Sequence, residues 1–346
     1  MAGVALNGAG IMTERVLDPW HCTLDDFASA DAPMRRCLEL ARAAAQTELP
    51  VLILGESGTG KTLLARAVHN SSRRAQAAFV SFNAAALSDT LLDSQLFGHE
   101  KGAFTGAQKT VKGKFELAHG GTLFIDEIAD LSPVAQAKIL RAVEYGEFER
   151  LGSERLQVAD VRLVSATHLP LVAYTQSDRF RKDLFYRIGG ITLTLPPLRE
   201  RPEDMRSLVA AEIAAAGRQQ GKVVHGLSRS AADLIFAYSW PGNLRELKRV
   251  LHAAVAMTSG ETVPPEALAL DALAHRAASP SATPAGPTKE DGPAPIAVDG
   301  PGGDLTLQAA EARHIRAVLD RMGGNKRRAA RALGVSRSTL DRKLGG

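Results

Sequence analysis

The chain of 346 residues is 45% hydrophobic with a formal net charge of only +4, enough apolar surface for one large core or two or three smaller ones. No run approaches the ~20 apolar residues that span a bilayer, and the N-terminus lacks a signal peptide's basic start and sustained apolar stretch. Two cysteines, Cys22 and Cys37, stand outside any metal-ligand spacing, so a cytoplasmic protein with no membrane partner is expected.

In chain order, residues 1–20 are a Gly/Ala-rich tail without periodicity. From 21 to 196, short apolar runs alternate with helical patterns. VLILG (Val51 to Gly55), AFVSFN (Ala78 to Asn83), TLFIDE (Thr122 to Glu127), VRLVSAT (Val161 to Thr167) and ITLTL (Ile191 to Leu195) are nearly continuous in Val, Ile, Leu and Phe. Strands covered on both faces read this way, which predicts an α/β domain with a parallel sheet. After the first run comes GESGTGKT: Gly55, Glu56, Ser57, Gly58, Thr59, Gly60, Lys61 and Thr62. Placed between strand and helix, this spacing lets backbone N–H groups curl around phosphates. Lys61 neutralises the β- and γ-phosphates and Thr62 holds Mg²⁺. TLFIDE delivers two adjacent carboxylates to the ligand-binding edge of the sheet, Asp126 for the metal and Glu127 to orient or deprotonate water. ATP and Mg²⁺ are therefore the expected cofactors.

Between these motifs lies GHEKGAFTGAQK, a glycine-bracketed polar stretch with an aromatic ring, Phe104, at its centre. Such a ring either tucks into a core or is kept to touch something else. Further on, DRFRKDLFYRI carries Arg179, Arg181 and Arg187, some of which helical spacing puts on one exposed face.

From 197 to 270 only helical spacing remains, at Met205 to Ala216, Ser230 to Ser239 and Asn243 to Thr258. In WPGNLREL, a turn at Trp240-Pro241-Gly242 with Asn243 as N-cap aims Arg245 from the first turn of a helix. Residues 271–303 are a Pro/Ala/Gly-rich linker. From Asp304 onward ten Lys/Arg stand against four Asp/Glu, a basic end on a near-neutral body. Asn325 caps a helix KRRAARAL and Ser336 caps RSTLDRKL, a helix-turn-helix at 304–346. Arg337, Ser338 and Arg342 are the candidate base readers, with Lys326, Arg327, Arg328 and Lys343 completing the basic DNA-facing set.

Taken in order, GESGTGK, FGHEKGAFTGA, GGTLFIDEI, LPPLRERPED and WPGNLREL resemble the sigma-54-dependent bacterial transcription activators, a branch of the AAA+ ATPases, from about Asp25 to Gly346. The ending resembles their Fis-type helix-turn-helix. The resemblance implies an AAA+ nucleotide-binding domain, a helical lid, and a hexameric ring. It further implies that ATP hydrolysis remodels the closed complex of sigma-54 RNA polymerase holoenzyme on double-stranded DNA carrying upstream activator sites. It implies that Gly102, Ala103, Phe104, Thr105, Gly106 and Ala107 form the loop touching sigma-54. Arg181 and Arg187 match arginine fingers given to a neighbour's site, and Asn83 the residue coupling Glu127 to the nucleotide. Arg245 and Thr167 match the two sensors. The first sensor departs from the family's Ala-Thr-Asn, reading Ala166-Thr167-His168, and Asp341 stands where an aromatic is common. No receiver domain is expected before residue 25, and the resemblance then implies control by a separate protein or by expression level. A repressor using ATP only as a ligand, or a helicase loader, is disfavoured by the intact GAFTGA and by Glu127.

Overall fold

Five strands form one parallel sheet: β1 (Val51–Leu54), β2 (Phe79–Asn83), β3 (Thr122–Asp126), β4 (Arg162–Thr167) and β5 (Ile191–Thr194), in the order β2-β3-β4-β1-β5. Each lies within a residue of the apolar run that predicted it. The computed structural model describes residues 20–85 and 88–268, together with 315, 318, 319, 325–332, 335 and 340.

The runs are continuous because both faces are covered. Leu52, Leu123, Ile125 and Leu163 point into one core with Phe97, Phe115 and Ile139. Val51, Ile53, Phe124, Val164 and Ala166 point into the other, against Leu38, Ala41, Leu64 and Val68. The covering helices are α1 (Ala32–Ala45), α2 (Lys61–Asn70), α3 (Asp89–Phe97), α4 (Pro133–Tyr145) and α5 (Lys182–Ile188). Helix α4 shows why such segments begin and end where they do. Ser132 caps it by accepting from the Ala135 N–H, Pro133 opens it, and Gly146 stops it at φ +73°.

The lid consists of α6 (Pro202–Gln220), α7 (Arg229–Ala237) and α8 (Asn243–Met257), packed around the fully buried Trp240. Its first helix is fixed to the start of α1 by a buried polar joint. Asp31 accepts from the backbone N–H groups of Glu203 and Asp204 at 3.3 and 2.9 Å. Asp204 accepts in return from Ala30 N–H (2.9 Å), the Ser29 hydroxyl (2.7 Å) and Arg201 (2.8 Å). Charged groups this deep persist only when paired and hydrogen-bonded.

Helix α2, which carries the phosphate loop, is anchored at its far end by His69. The ring is buried, hydrogen-bonded to Thr122 Oγ1 at 2.9 Å and tilted against Phe79. Burial lowers its pKa from 6.5 to about 4. The folded state thus resists a proton that the unfolded chain takes up below pH 6.5. Stability is expected to fall as pH drops from 6.5 towards 4, by up to about 3 kcal/mol at about 1.4 kcal/mol per pH unit. Urea melts across that range check this: His69→Asn should flatten the dependence, and an equal slope in both proteins would refute it.

The C-terminal unit is described at fewer positions. Ile315, Ala329, Ala330 and Leu340 are buried together, with Val318 and Leu319 packed on them. Asn325 accepts from the Arg328 N–H at 3.2 Å at the start of the helix Lys326–Ala332, the cap expected there. Lys326 and Arg328 are exposed. The side chains of Arg327, Ser336, Arg337, Ser338, Asp341, Arg342 and Lys343, and the linker 271–303, lie outside the described residues.

Candidate active site

The phosphate loop leaves the C-terminal end of β1, where β4 and β5 flank it on either side. Gly58 and Gly60 adopt φ +81° and +103°. At Gly58 the requirement is double, because a Cβ there would lie 2.3 Å from the carbonyl oxygen of Gly242 in the lid. Thr59 turns its hydroxyl back to Glu56 O at 2.8 Å, tightening the loop. Lys61 is only 6% exposed, and its ammonium donates to the carbonyls of Gly55 (2.9 Å) and Glu56 (3.3 Å). A buried cation held by two carbonyls, with a single carboxylate no nearer than 3.8 Å, is poised for a closer anionic partner.

The two carboxylates diverge. Asp126 Oδ2 accepts from the Thr62 hydroxyl at 3.5 Å, and burial together with the charge of Glu127 raises its pKa. Excess negative charge beside a hydroxyl at the head of a phosphate loop fits a hard cation with oxygen ligands. Thr62 and Asp126 are the residues that would hold Mg²⁺. Glu127 occupies the left-handed region at φ 53°, ψ 50°, a conformation that costs a non-glycine residue of order 1 kcal/mol and clusters at functional sites. Its Oε2 accepts from His168 Nδ1 (2.8 Å), the His168 N–H (3.2 Å) and the Thr167 hydroxyl (3.4 Å), while Oε1 lies 3.8 Å from Lys61 Nζ. His168 is therefore the main partner of this carboxylate.

Some expected residues stand elsewhere. Asn83, at the end of β2, turns its Oδ1 to the Ala85 N–H at 2.8 Å, and is not bonded to Glu127. Arg179 and Arg181 precede α5 rather than sharing its face. Arg181 pairs with Asp183 at 2.7 Å, and Arg187 donates to the carbonyls of Val143 and Glu144. Neither arginine bonds to the phosphate loop of its own chain. Asn243 is not an N-cap. It is the first residue of α8, at φ 51°, and its fully buried amide accepts from Leu198 N–H (2.7 Å) and donates to Ser57 O (3.1 Å) and Glu56 Oε2 (3.1 Å). Arg245 donates to Ser57 Oγ in the phosphate loop at 3.0 Å. Glu56 and Ser57 thus spend their side chains on the lid and leave only backbone for a phosphate. The sequence reading missed Arg199, which grips Glu56 through both terminal nitrogens at 2.9 and 2.6 Å.

The glycine-bracketed loop is closed by Gly102 N–H to Ala107 O at 2.8 Å, with Gly102 and Gly106 at φ +87° and +103°. No atom lies within 4 Å of a Cβ at either position, so backbone geometry and not space selects glycine. Phe104 is half-buried, edge-on to His99 at 5.0 Å. His99 is in turn bonded to Ser94 at 2.8 Å. The loop's base is tied to the hairpin Glu147–Glu149/Leu156–Val158. Arg150 bridges Glu100 and Glu116 at 2.7 Å each, and backbone bonds join Leu151 to Gly98 and Glu100.

A five-stranded parallel sheet, a phosphate loop with its lysine, a paired Asp-Glu at the neighbouring strand end and a helical lid define an AAA+ P-loop nucleoside triphosphatase. Family models agree in detail: a sigma-54 interaction domain matches residues 27–194, an AAA+ ATPase lid domain 199–285, and a bacterial regulatory protein of the Fis family 306–345. The transcriptional regulatory protein ZraR of Klebsiella oxytoca is 43% identical over 318 residues, covering 91% of this chain and 67% of that protein. The hydrogenase transcriptional regulatory protein HoxA of Cupriavidus necator is 42% identical over 315 residues, 90% of this chain and 63% of its own length. Among solved structures, NtrX of Brucella abortus in complex with ADP superposes with a TM-score of 0.64 at 30% identity, over 92% of this chain and 68% of that one. The chain belongs to the sigma-54-dependent transcriptional activators, and it spans about two thirds of the length of these relatives.

Proposed function

We propose that the chain hydrolyses ATP to remodel the closed complex of sigma-54 RNA polymerase into an open one, from a ring assembled on upstream DNA in the cytoplasm. The observation that carries this reading is the coexistence of two structures in one domain: a phosphate loop with its lysine and paired carboxylates, and a hydrogen-bonded loop carrying Phe104 and Thr105 on a base tied to the hairpin Glu147–Glu149/Leu156–Val158.

Lys61 leaves its two carbonyl acceptors for the β- and γ-phosphates, and Glu127 orients the attacking water. Thr62 and Asp126 would hold Mg²⁺, which would supply positive charge to offset that of the phosphates. Arg181 and Arg187, unattached to their own site, serve the neighbouring subunit's nucleotide in a ring of six. Asn83 takes its part once the nucleotide is bound, Thr167 stays beside Glu127, and Arg245 senses the phosphates from the lid. Residues 102–107 contact sigma-54. The exposed Lys326 and Arg328, with the rest of the basic helix-turn-helix, hold DNA.

In vitro transcription from a sigma-54 promoter tests the whole reading. Product is expected with ATP and none with a non-hydrolysable analogue; equal product with both would leave hydrolysis without a role.

A further inference from the structure

Two polar attachments join the lid to the nucleotide-binding domain, and they differ in burial. The joint at Asp31, Arg201 and Asp204 is 5–6% exposed and lies where the chain enters the lid. The contact at Glu56 and Arg199 is 42% and 45% exposed, and lies on the phosphate loop itself. We propose that the Glu56–Arg199 pair is a releasable latch that holds the lid against the phosphate loop and sets how long nucleotide stays bound. This deepens the proposed nucleotide site and rests on that reading.

Geometry separates a hinge from a latch. Breaking the buried joint would take Asp31 from the Glu203 and Asp204 N–H groups and Asp204 from Ser29 and Ala30, leaving two buried carboxylates short of partners, so it stays closed while the lid pivots about it. The outer pair is bidentate, which fixes its orientation, but each partner can return to water when it opens. Around it the lid's turn is built to meet the loop. Trp240 and Asn243 hold φ +52° and +51°, Asn243 is fully buried, and its amide bonds to both Ser57 O and Glu56 Oε2. Arg245 N–H donates to Gly58 O at 3.3 Å, and Gly242 O lies against Gly58 where a Cβ would clash. Any opening of the lid must therefore pull on the loop backbone that cradles phosphate. Arg199 contributes no group to the chemistry; it is a positioning residue acting through Glu56.

Stopped-flow release of a fluorescent ADP analogue from the full chain tests the latch. Arg199→Ala and Glu56→Gln should each speed release about fivefold, as loss of one well-aligned exposed pair implies. The double variant should also show about fivefold, because both changes remove one interaction; Arg199→Lys should fall between. Raising salt should speed release from the wild type and leave Arg199→Ala unaffected, a readout that needs no comparison of folding. Unchanged release in Arg199→Ala, or multiplication to about 25-fold in the double variant, would overturn the latch. A wild type that binds no ADP would overturn the nucleotide reading, and the latch with it.

Discussion

Glu127→Gln is expected to lower ATP turnover by at least about 100-fold while leaving ATP binding nearly intact, the usual cost of removing a positioned base. The carboxylate sits in a strained backbone conformation and accepts from His168 and Thr167, so it is placed by the fold and not by the substrate. Glutamine keeps the shape and loses the charge. Lys61→Ala should instead weaken binding as well, because the ammonium is the one buried cation at the head of α2. Phosphate release and ATP titration separate the two outcomes. Turnover within a few-fold of wild type in Glu127→Gln would remove that residue from the chemistry.

Thr105→Ala is expected to do the reverse, leaving ATP turnover within about twofold and reducing open-complex formation by more than about tenfold. Among the described residues the Thr105 hydroxyl has no partner, and the backbone bonds that close the loop do not involve it. Its removal should therefore not disturb the fold. Phe104 differs, because its ring also rests on His99, so Phe104→Ala removes a contact inside the protein as well as one outside. Permanganate footprinting of the promoter beside an ATPase assay reads both quantities. Undiminished melting by Thr105→Ala would favour a role other than contact with sigma-54.

The sheet and the phosphate loop were legible because their signals are local. A strand covered on both faces must be apolar at every position, and a loop with φ near +80° to +100° must place glycine there. The misread residues depend on partners far along the chain. Asn243 looked like a cap because asparagine before a helix usually is one, yet its acceptors lie 187 and 186 residues away in the phosphate loop. Glu56 reads in the sequence as one of the phosphate-binding residues, and its side-chain partner Arg199 is hidden from that reading 143 positions away. His168 was visible as a departure from Ala-Thr-Asn, but not that its Nδ1 would reach Glu127, which depends on β3 and β4 lying side by side. Asn83 shows the converse: a match by motif whose side chain satisfies its own turn.

The central claim is that hydrolysis drives the loop at 102–107 against sigma-54. Its most direct test is capture of purified sigma-54 by the full chain bound to a transition-state analogue of ATP, read by native gel or analytical ultracentrifugation. A stable complex that Thr105→Ala fails to form is the predicted result. A chain that turns over ATP normally on its own yet never retains sigma-54 when the analogue is bound would contradict it.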